Sequence, residues 1–399
     1  MKPYERVPQE PSVLVLGGDH TSAIGVVRSL GRRGIPVFVG GLNPRIPAGF
    51  SRFVSRRFRY SGEPTRALEQ IVDRLHRWRP QVLLPIMDHA WSLVYSRYDE
   101  LSEHTTIVPC PDPVLRSELN DKASMLETAS ARGVPTPKTY VPSSVDEALA
   151  LRHDLPYPVL LKPARGTGGV GIKLARDPTG FESALRDAEL APTIQEFIEG
   201  DDLELTILAD HGEPLAGSAY VTLRNRPLPY GPPVACRTIR DQHLMSIGVK
   251  FLQELRYHGV AHLDFRRDRR DGQPKLLDFN VRLAGSNEIS TRTGVDFALM
   301  LYQMALGRRV VPCFEYEVNM EFRWVLFGEL QHLIQTPRKR AVIRDLMRWR
   351  GVHTDISLSD SLPHVIDTFN VIADKSLGVV RRAVPRRLIN AVGVNRSDN

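Results

Sequence analysis

Short apolar segments alternate with helical patterns over the N-terminal part of the chain. The runs SVLVLGG at 12–18 and IPVFVGG at 35–41 are rich in β-branched residues and end in glycine. Between them, apolar residues recur at helical spacing from Ile24 to Leu30. Strand, helix and strand in this order are typical of a doubly wound parallel sheet. We therefore predict an α/β domain over residues 12–115.

Beyond residue 116 the pattern changes to strands joined by turns. Alternating runs flank a glycine-rich turn within 158–175, and two others flank Asp271-Gly272, a dipeptide that strongly favours a hairpin. These segments predict an α+β domain over residues 116–313. Mixed and weaker signals follow from 314 to 399, which we treat as a separate C-terminal extension.

Composition and charge place the chain in the globular class, with 42% hydrophobic and 25% charged residues. Residues 1–11 contain three prolines and are predicted to be a disordered lead-in. The net charge of +7 is concentrated near the C-terminus, because Gln335 to Asn399 holds twelve Lys or Arg and six Asp, a net of +6. We interpret this basic tail as a solvated surface, with contact to an acidic surface or partner as the alternative. No nucleic acid partner is expected.

The three cysteines, Cys110, Cys236 and Cys313, are odd in number and far apart in sequence. This usage argues against a disulfide framework or a zinc cluster, and it predicts a cytoplasmic protein. No apolar run approaches the roughly 20 residues that span a bilayer, so no transmembrane segment is expected.

The segment PVLLKPARGTGGVGIKLA contains a G-x-G-x-x-G pattern at Gly166, Gly168 and Gly171. In a dinucleotide site this pattern precedes a helix whose N-terminus meets the pyrophosphate. Here a strand-like segment follows, which argues against an NAD-dependent oxidoreductase. A hairpin that covers phosphates and a mobile surface turn both remain open. Lys162, at the end of the preceding strand, is placed to contact a phosphate.

The segment GVAHLDFRRDRRDGQPKLLDFNVRLAGSN groups polar residues on one predicted hairpin. Asp264 and Asp278 are each seven residues from Asp271, so they face each other with Cβ atoms about 5 Å apart. Two such carboxylates repel unless a cation lies between them. Together with Asn280 they form an oxygen set that suits Mg2+ or Mn2+, and Arg282 is placed to contact a transferred phosphate. The alternative is an amphipathic hairpin with a solvated polar face.

The segment IQEFIEGDDLEL at 194–205 combines a strand pattern with an acidic glycine loop. A strand of this kind can present the carbonyl of Glu196 and the amide of Ile198 to an adenine. A carboxylate just beyond, from Asp202 or Glu204, can accept hydrogen bonds from ribose hydroxyls. Read alone, the segment also fits an ordinary strand and turn.

In their order, these segments resemble the ATP-grasp superfamily, which includes D-alanine ligases, biotin carboxylase and the large subunit of carbamoyl phosphate synthase. The similarity covers about residues 119–287, through NDKASMLETASARGVPTPKTY, YPVLLKPARGTGGVGI, QEFIEGDD, LDF and LLDFNVR. The resemblance implies a pre-ATP-grasp α/β domain followed by a two-subdomain ATP-grasp fold. Its subdomains would be 116–193 and 203–313, joined by a hinge at 194–202.

The resemblance also implies a set of site residues. Lys122 and Lys162 correspond to the phosphate-contacting lysines. Further nucleotide contacts are implied for Arg165, Gly166, Thr167, Gly168, Gly169, Gly171, Glu196, Phe197, Ile198, Asp202 and Glu204. Three positions depart from the family pattern, because Asp278 and Asp202 stand where Glu is usual and Val281 stands where Pro is common.

Enzymes of this superfamily typically use ATP and Mg2+ to phosphorylate a carboxylate, and an amine then attacks the acyl phosphate. The implied function is an ADP-forming carboxylate-amine ligase with small-molecule substrates, in which Lys162 and Arg282 are catalytic. The alternative is a non-catalytic ATP-binding module with a regulatory or scaffolding role. The oligomeric state stays open, with a homodimer as one alternative.

A proline-rich segment at 223–240 carries four arginines. They are Arg224, Arg226, Arg237 and Arg240. These side chains either face an acceptor substrate or an acidic group, or they lie in a solvated loop, and the sequence favours neither alternative.

Overall fold

The computed structural model describes residues 10–163, 171–186, 188–226, 231–348 and 350–370. Within these ranges the chain forms two compact units. The first unit combines the chain up to Val108 with Ala298–Arg308 and the residues from Ile356 on, whereas the second contains Pro109–Phe297 and Arg309–Asp355. No helix in the described ranges is both long and apolar enough to cross a membrane.

The first unit contains a parallel five-stranded sheet with intervening helices. Its elements are β1 (Val13–Leu16), α1 (Thr21–Gly31), β2 (Val37–Gly41), β3 (Val54–Arg59), α2 (Pro64–Trp78), β4 (Val82–Pro85), α3 (Asp88–Ser96), α4 (Tyr98–Ser102) and β5 (Thr106–Ile107). The strand order is β3-β2-β1-β4-β5, and all neighbouring pairs are parallel. This arrangement confirms the predicted doubly wound sheet, in which β1 and β4 are buried along their whole length.

The second unit begins with a small antiparallel sheet. Its elements are α5 (Pro113–Asn120), α6 (Lys122–Ala131), β6 (Thr139–Tyr140), α7 (Val145–Ala150), β7 (Val159–Lys162), β8 (Lys173–Ala175), α8 (Pro178–Leu185) and β9 (Thr193–Glu196). The strand order is β6-β9-β7-β8. Because β7 and β8 pair antiparallel on either side of the glycine-rich segment, the two predicted strands that flank it are confirmed.

A seven-stranded sheet forms the rest of the second unit. The next elements are β10 (Asp202–Asp210), β11 (Glu213–Asn225), β12 (Pro233–Ile239), α9 (Gln242–Glu254), β13 (Gly259–Arg267), β14 (Pro274–Asn280), α10 (Asn287–Thr293), α11 (Phe297–Ala305), β15 (Glu321–Arg323), α12 (Leu330–Gln335), α13 (Lys339–Leu346) and β16 (Val352–Thr354). The strand order is β14-β13-β10-β11-β12-β15-β16. Apolar residues of α9 such as Phe251 pack with Leu205 and Phe279 in the core of this unit, and that core leaves a polar face on the other side of β10, β13 and β14.

The compact units differ from the predicted domain limits at both ends of the second unit. Leu119 of α5 belongs to the second-unit core, so the boundary lies at Val108 and not near residue 115. The predicted separate extension from residue 314 is instead divided between the two units. Its strands β15 and β16 are three residues long and pair with distant parts of the sheet, so no local pattern marked them.

The end of the described chain belongs to the first unit through a buried ion pair. Asp360 Oδ2 accepts hydrogen bonds from Arg28 Nε and Ser51 Oγ, each at 2.9 Å. Burial alone would raise the pKa of Asp360, but the Arg52 N–H, Arg28 and Ser51 together hold it below its usual value. This contact is part of the core of the unit, not of a detached basic tail.

Candidate functional site

The lysine at the end of β7 is held by a buried glutamine. Lys162 Nζ donates to Gln195 Oε1 at 2.5 Å, and Gln195 has no exposed surface. Gln195 lies opposite Leu160 in the pairing of β9 with β7, one diagonal step from Lys162. Gln195 Nε2 in turn donates to Thr139 Oγ1 at 3.1 Å. Gln195 therefore orients the lysine, and the only sequence signal for it was a polar residue inside a buried strand.

Lys122 brings a second cation close to Lys162. It is the first residue of α6, whose N-cap residue Asp121 accepts from the Ser124 N–H at 2.9 Å. Lys122 Nζ lies 3.7 Å from Asp278 Oδ2. Desolvation, and then the charge of Lys122, lower the pKa of Lys162 to about 7, although Asp278 opposes this shift. Since two neighbouring lysines repel, the position favours an anionic ligand that contacts both.

The hairpin of β13 and β14 sets two carboxylates opposite each other. Asp264 and Asp278 are direct partners in the strand register, which confirms the predicted facing pair. Asn280 Nδ2 donates to Asp264 Oδ2 at 3.3 Å, and Arg282 Nη2 donates to Asn280 Oδ1 at 2.9 Å. The four polar residues predicted on this hairpin therefore lie together. Facing carboxylates with an adjacent amide suit a divalent cation that prefers oxygen ligands.

His262 lies two residues before Asp264 on the same face of β13 and is absent from the predicted site. Its Nε2 lies 3.1 Å from both Glu204 Oε2 and Asp264 Oδ1, and its Nδ1 lies 3.1 Å from Thr206 Oγ1. Burial alone would lower the pKa of His262, but Asp264 and Glu204 raise it to about 9. His262 is thus a buried cation at neutral pH that orients both carboxylates. The alternation in GVAHLDF, which puts His262 and Asp264 on one face, was the available signal.

The two acidic candidates of β10 have different partners. Glu204 is buried and accepts hydrogen bonds from the Tyr220 hydroxyl and from the Thr222 hydroxyl, the latter at 3.0 Å. Asp202, at the start of β10, has its Oδ1 2.6 Å from both Nε and Nη2 of Arg266. Both carboxylates thus have protein partners, but Glu204 is buried, whereas Asp202 is partly exposed beside the hinge. Of the two alternatives for a ribose contact, the geometry favours Asp202.

The hinge after β9 is held by two arginines of the β13–β14 hairpin. Glu196 Oε1 accepts from Arg270 Nη2 at 2.6 Å, and Ile198 O accepts from Arg266 Nη1 at 3.4 Å. The Arg266 guanidinium lies 5.8 Å from the centroid of the Phe197 ring. Within the described ranges, no group accepts a hydrogen bond from the Ile198 N–H. The Ile198 N–H, one of the two predicted adenine contacts, is thus a backbone donor in a segment that Arg266 and Arg270 hold at both ends.

The glycine-rich segment is described only at its ends. Five predicted nucleotide contacts lie outside the described residues: Arg165, Gly166, Thr167, Gly168 and Gly169. Gly171 has a φ of +81°, a left-handed conformation that glycine adopts readily. A Cβ at Gly171 would also lie 3.3 Å from Pro163 Cγ. Glycine at this position is therefore required by the turn into β8.

The arginines of the 223–240 segment are largely engaged by the protein. Arg224 donates to Glu329 Oε2 at 2.8 Å and to Asp345 Oδ2 at 2.6 Å. Arg240 lies 2.5 Å from Glu315 Oε2. Arg224 therefore faces acidic groups of the protein itself, which is one of the predicted alternatives, and it has a structural role.

Comparison with known proteins concerns the same part of the chain. Residues 119–286 match the family described as ATP-grasp domain. The chain is 27% identical over 263 residues to biotin carboxylase of Nostoc sp., which covers 58% of this chain and 58% of that protein. It is 26% identical over 241 residues to D-aspartate ligase of Enterococcus faecium, which covers 54% and 56%. The chain thus spans less than two thirds of the length of these relatives.

Two solved structures share the fold. The L-amino acid ligase from Bacillus licheniformis has a TM-score of 0.59 at 17% identity, over 75% of each chain. The biotin carboxylase domain dimer of Hydrogenobacter thermophilus 2-oxoglutarate carboxylase, in complex with MgADP and bicarbonate, has a TM-score of 0.62 at 19% identity. That match covers 78% of this chain and 74% of the other. At such identities the likeness shows the fold alone.

Proposed function

Because residues 119–286 form an ATP-grasp domain, we propose that this protein is an ATP-dependent ligase that activates a carboxylate for attack by an amine. The observation that carries the proposal is the meeting of two like-charged pairs, Lys122 with Lys162 and Asp264 with Asp278. Each pair is repulsive by itself. A nucleotide polyphosphate together with a divalent cation would neutralise both pairs.

The hinge at 194–202 offers groups that could bind the nucleoside of ATP. The adenine would meet the carbonyl of Glu196 and the N–H of Ile198, and the ribose hydroxyls would donate to Asp202. The glycine-rich segment would cover the phosphates, as the sequence motif predicts. Arg266 pairs with Asp202 and lies over Phe197, and it thereby holds the proposed nucleoside-binding residues in position.

The metal hairpin and the lysines support phosphoryl transfer. Asp264, Asp278 and Asn280 would hold Mg2+, which when bound neutralises charge on the phosphates. Lys162, oriented by Gln195, stabilises charge on the transferred phosphoryl group together with Lys122. The substrate carboxylate oxygen bonds to the γ-phosphorus as ADP leaves, and the amine nitrogen then bonds to the acyl carbon as phosphate leaves. No serine or cysteine nucleophile is required.

The relatives also support a substrate class. One is named a D-aspartate ligase, and a structure with the same fold is an L-amino acid ligase. We therefore propose an amino-acid-like carboxylate as the first substrate. The amine acceptor is a second small molecule.

A hydroxylamine trap tests the proposal. The protein is incubated with ATP, Mg2+, hydroxylamine and a panel of amino acids and other carboxylic acids, and ADP and hydroxamate are measured. We expect both products with at least one amino-acid-like carboxylate, and their loss in Lys162→Ala. Lys173→Ala is the matched control, because Lys173 lies on β8 opposite Leu161 and its ammonium group donates to Ala184 O.

Nucleotide binding without turnover would give a different answer. If ATP with Mg2+ raises the thermal unfolding temperature but no acid releases ADP, the non-catalytic ATP-binding module becomes the better description. If ATP with Mg2+ gives no such protection, the proposed function is wrong in both forms.

A further inference from the structure

A second cluster of metal-ligating side chains lies at the other end of β10. That strand begins at Asp202 beside the hinge and ends at Asp210, about 27 Å farther along at 3.4 Å per residue. Asp210 and His211 are at the turn into β11, and His258 directly precedes β13. One ligand atom from each of Asp210, His211 and His258 lies within 4.8 Å of the others. None of these three residues takes part in the proposed nucleotide site.

The distances in this cluster are close to those of a zinc site. Asp210 Oδ1 lies 3.0 Å from His258 Nδ1 and 3.9 Å from His211 Nε2. Ligand atoms bound at about 2.0–2.1 Å to a tetrahedral Zn2+ are about 3.3 Å apart. These two distances lie on either side of this value, and the distance between the two histidine nitrogens is at most 4.8 Å.

His258 has a nitrogen available for a ligand. Its Nδ1 is buried and lies 3.0 Å from Asp210 Oδ1, so the two proposed ligand atoms already face each other. Burial and then the nearby His211 lower the pKa of His258, although Asp210 opposes this. The neutral imidazole is the form that binds metal ions, and binding releases any proton that Nδ1 carries.

The two loops that carry the histidines are fastened to each other. The Gly212 N–H donates to Tyr257 O at 2.7 Å. His211 and Gly212 have φ values of +49° and +92°, and a Cβ at Gly212 would lie 3.2 Å from the Arg256 Cα. Tight packing between the loops therefore fixes the separation of His211 and His258 without a ligand.

One imidazole ring must turn before both histidines can bind the same metal ion. The rings of His211 and His258 are stacked, with centroids 4.1 Å apart and an interplanar angle of 4°, so their lone pairs run side by side. The His211 side chain is 72% exposed, which leaves it free to turn towards Asp210. The other two ligands, the half-buried His258 and Asp210 at the end of β10, can keep their positions while His211 turns.

We propose that Asp210, His211 and His258 form a binding site for a transition-metal ion such as Zn2+, separate from the nucleotide site. Two imidazoles and one carboxylate favour Zn2+ over Mg2+, which prefers an all-oxygen shell. Water completes the coordination. The proposal is independent of the ligase function, since none of its residues contacts the nucleotide site.

Zinc titration of the untagged full-length protein tests this site. Isothermal titration calorimetry with Zn2+, in millimolar Mg2+ to occupy the oxygen site, should show a bound ion that is weakened at least about tenfold in His211→Ala and in His258→Ala, since even indirect partners of a ligand contribute tenfold or more. His153→Ala, an exposed histidine of the same unit, should bind as the unaltered protein does.

A second readout separates this site from the Glu204, His262 and Asp264 group, which also brings ligand atoms together. Binding of Co2+ followed by its visible absorption should be lost in His211→Ala and kept in Asp264→Asn. Because His211 is exposed, its variant should unfold at the unaltered temperature without metal. Zinc affinity in the His211→Ala, His258→Ala double variant equal to that of the unaltered protein would overturn the proposal.

Discussion

Two charged regions of the second unit differ in how their charges are arranged. In the candidate site, like charges are neighbours, as in Lys122 with Lys162 and Asp264 with Asp278. In the region around β15, which we term the C-terminal ion cluster, opposite charges alternate. Its members are three arginines and three acids: Arg224, Arg323, Arg348, Glu321, Glu329 and Asp345.

The pKa shift of Lys162 differs in its effect from the pKa shifts of the C-terminal ion cluster. Burial alone disfavours the charged forms of Arg224 and Asp345, but their partners raise the pKa of Arg224 and lower that of Asp345. Both shifts favour the charged forms. At Lys162 the pKa falls to about 7, which disfavours the charged form. The number of charges therefore does not identify a ligand site, whereas their arrangement does, because neighbouring opposite charges stabilise each other without a ligand and neighbouring like charges do not.

The strongest test of this contrast is Arg224→Met. Glu329 has no exposed side-chain surface, so loss of Arg224 leaves it buried without its bidentate partner. We expect the free energy of unfolding to fall by about 3–5 kcal/mol, measured by urea denaturation. Arg240→Met is the control, because its pair with Glu315 is exposed and should contribute little. Equal losses of unfolding free energy in the two variants would show that the C-terminal ion cluster does not stabilise the fold.

Lys162→Met should have the opposite effects, with a small change in stability and a large loss of ATP turnover. The substitution removes a cation that Lys122 repels, so the free energy of unfolding without nucleotide should change far less than in Arg224→Met. ATP turnover should fall about a hundredfold or more, because a charge aimed at the transferred phosphoryl group is lost. Urea denaturation and steady-state kinetics on the same preparation measure both effects. A stability loss as large as that of Arg224→Met would contradict the comparison.

The lowered pKa of Lys162 also predicts how nucleotide affinity depends on pH. Without ligand this lysine loses its proton as pH rises through about 7, and a bound phosphate raises its pKa again. Binding above pH 7 therefore takes up a proton, and the Kd for ATP should rise by up to about tenfold per pH unit between 7 and 9. Calorimetry in buffers of different ionisation enthalpy measures the proton uptake. Lys162→Arg, which stays charged, should remove it, and a flat profile in the unaltered protein would refute the assignment.

The smallest effect is expected at the hinge. Asp202→Ala removes the proposed ribose acceptor but leaves the lysines and the metal hairpin in place. The KM for ATP should rise about threefold to tenfold with little change in kcat, which is the range for one hydrogen bond. Asp201→Ala is the control, since Asp201 contributes its backbone carbonyl to Arg267 and its side chain is exposed. A KM for ATP that changes equally in both variants would contradict the assignment of Asp202 as a ribose contact.

Several features could be predicted from the sequence because they depend on neighbours along the chain. The alternation around Asp271-Gly272 was enough to place Asp264 opposite Asp278, because a tight hairpin sets its own register. Strand and helix periodicity was likewise enough for the parallel sheet of the first unit. The order of the lysine, glycine, hinge and metal segments was enough to indicate the ATP-grasp domain.

Only the tertiary structure decided which polar groups were already satisfied. Glu204 and Asp202 look equivalent in the sequence, yet Glu204 is buried among partners from β11 and β13, whereas Asp202 pairs with Arg266 and stays partly exposed beside the hinge. Gln195 contacts Lys162 of another strand, His262 contacts Glu204 of another strand, and Asp360 pairs with Arg28 from the opposite end of the chain. Such pairings depend on burial and on contacts between distant segments, and neither local periodicity nor residue spacing encodes them.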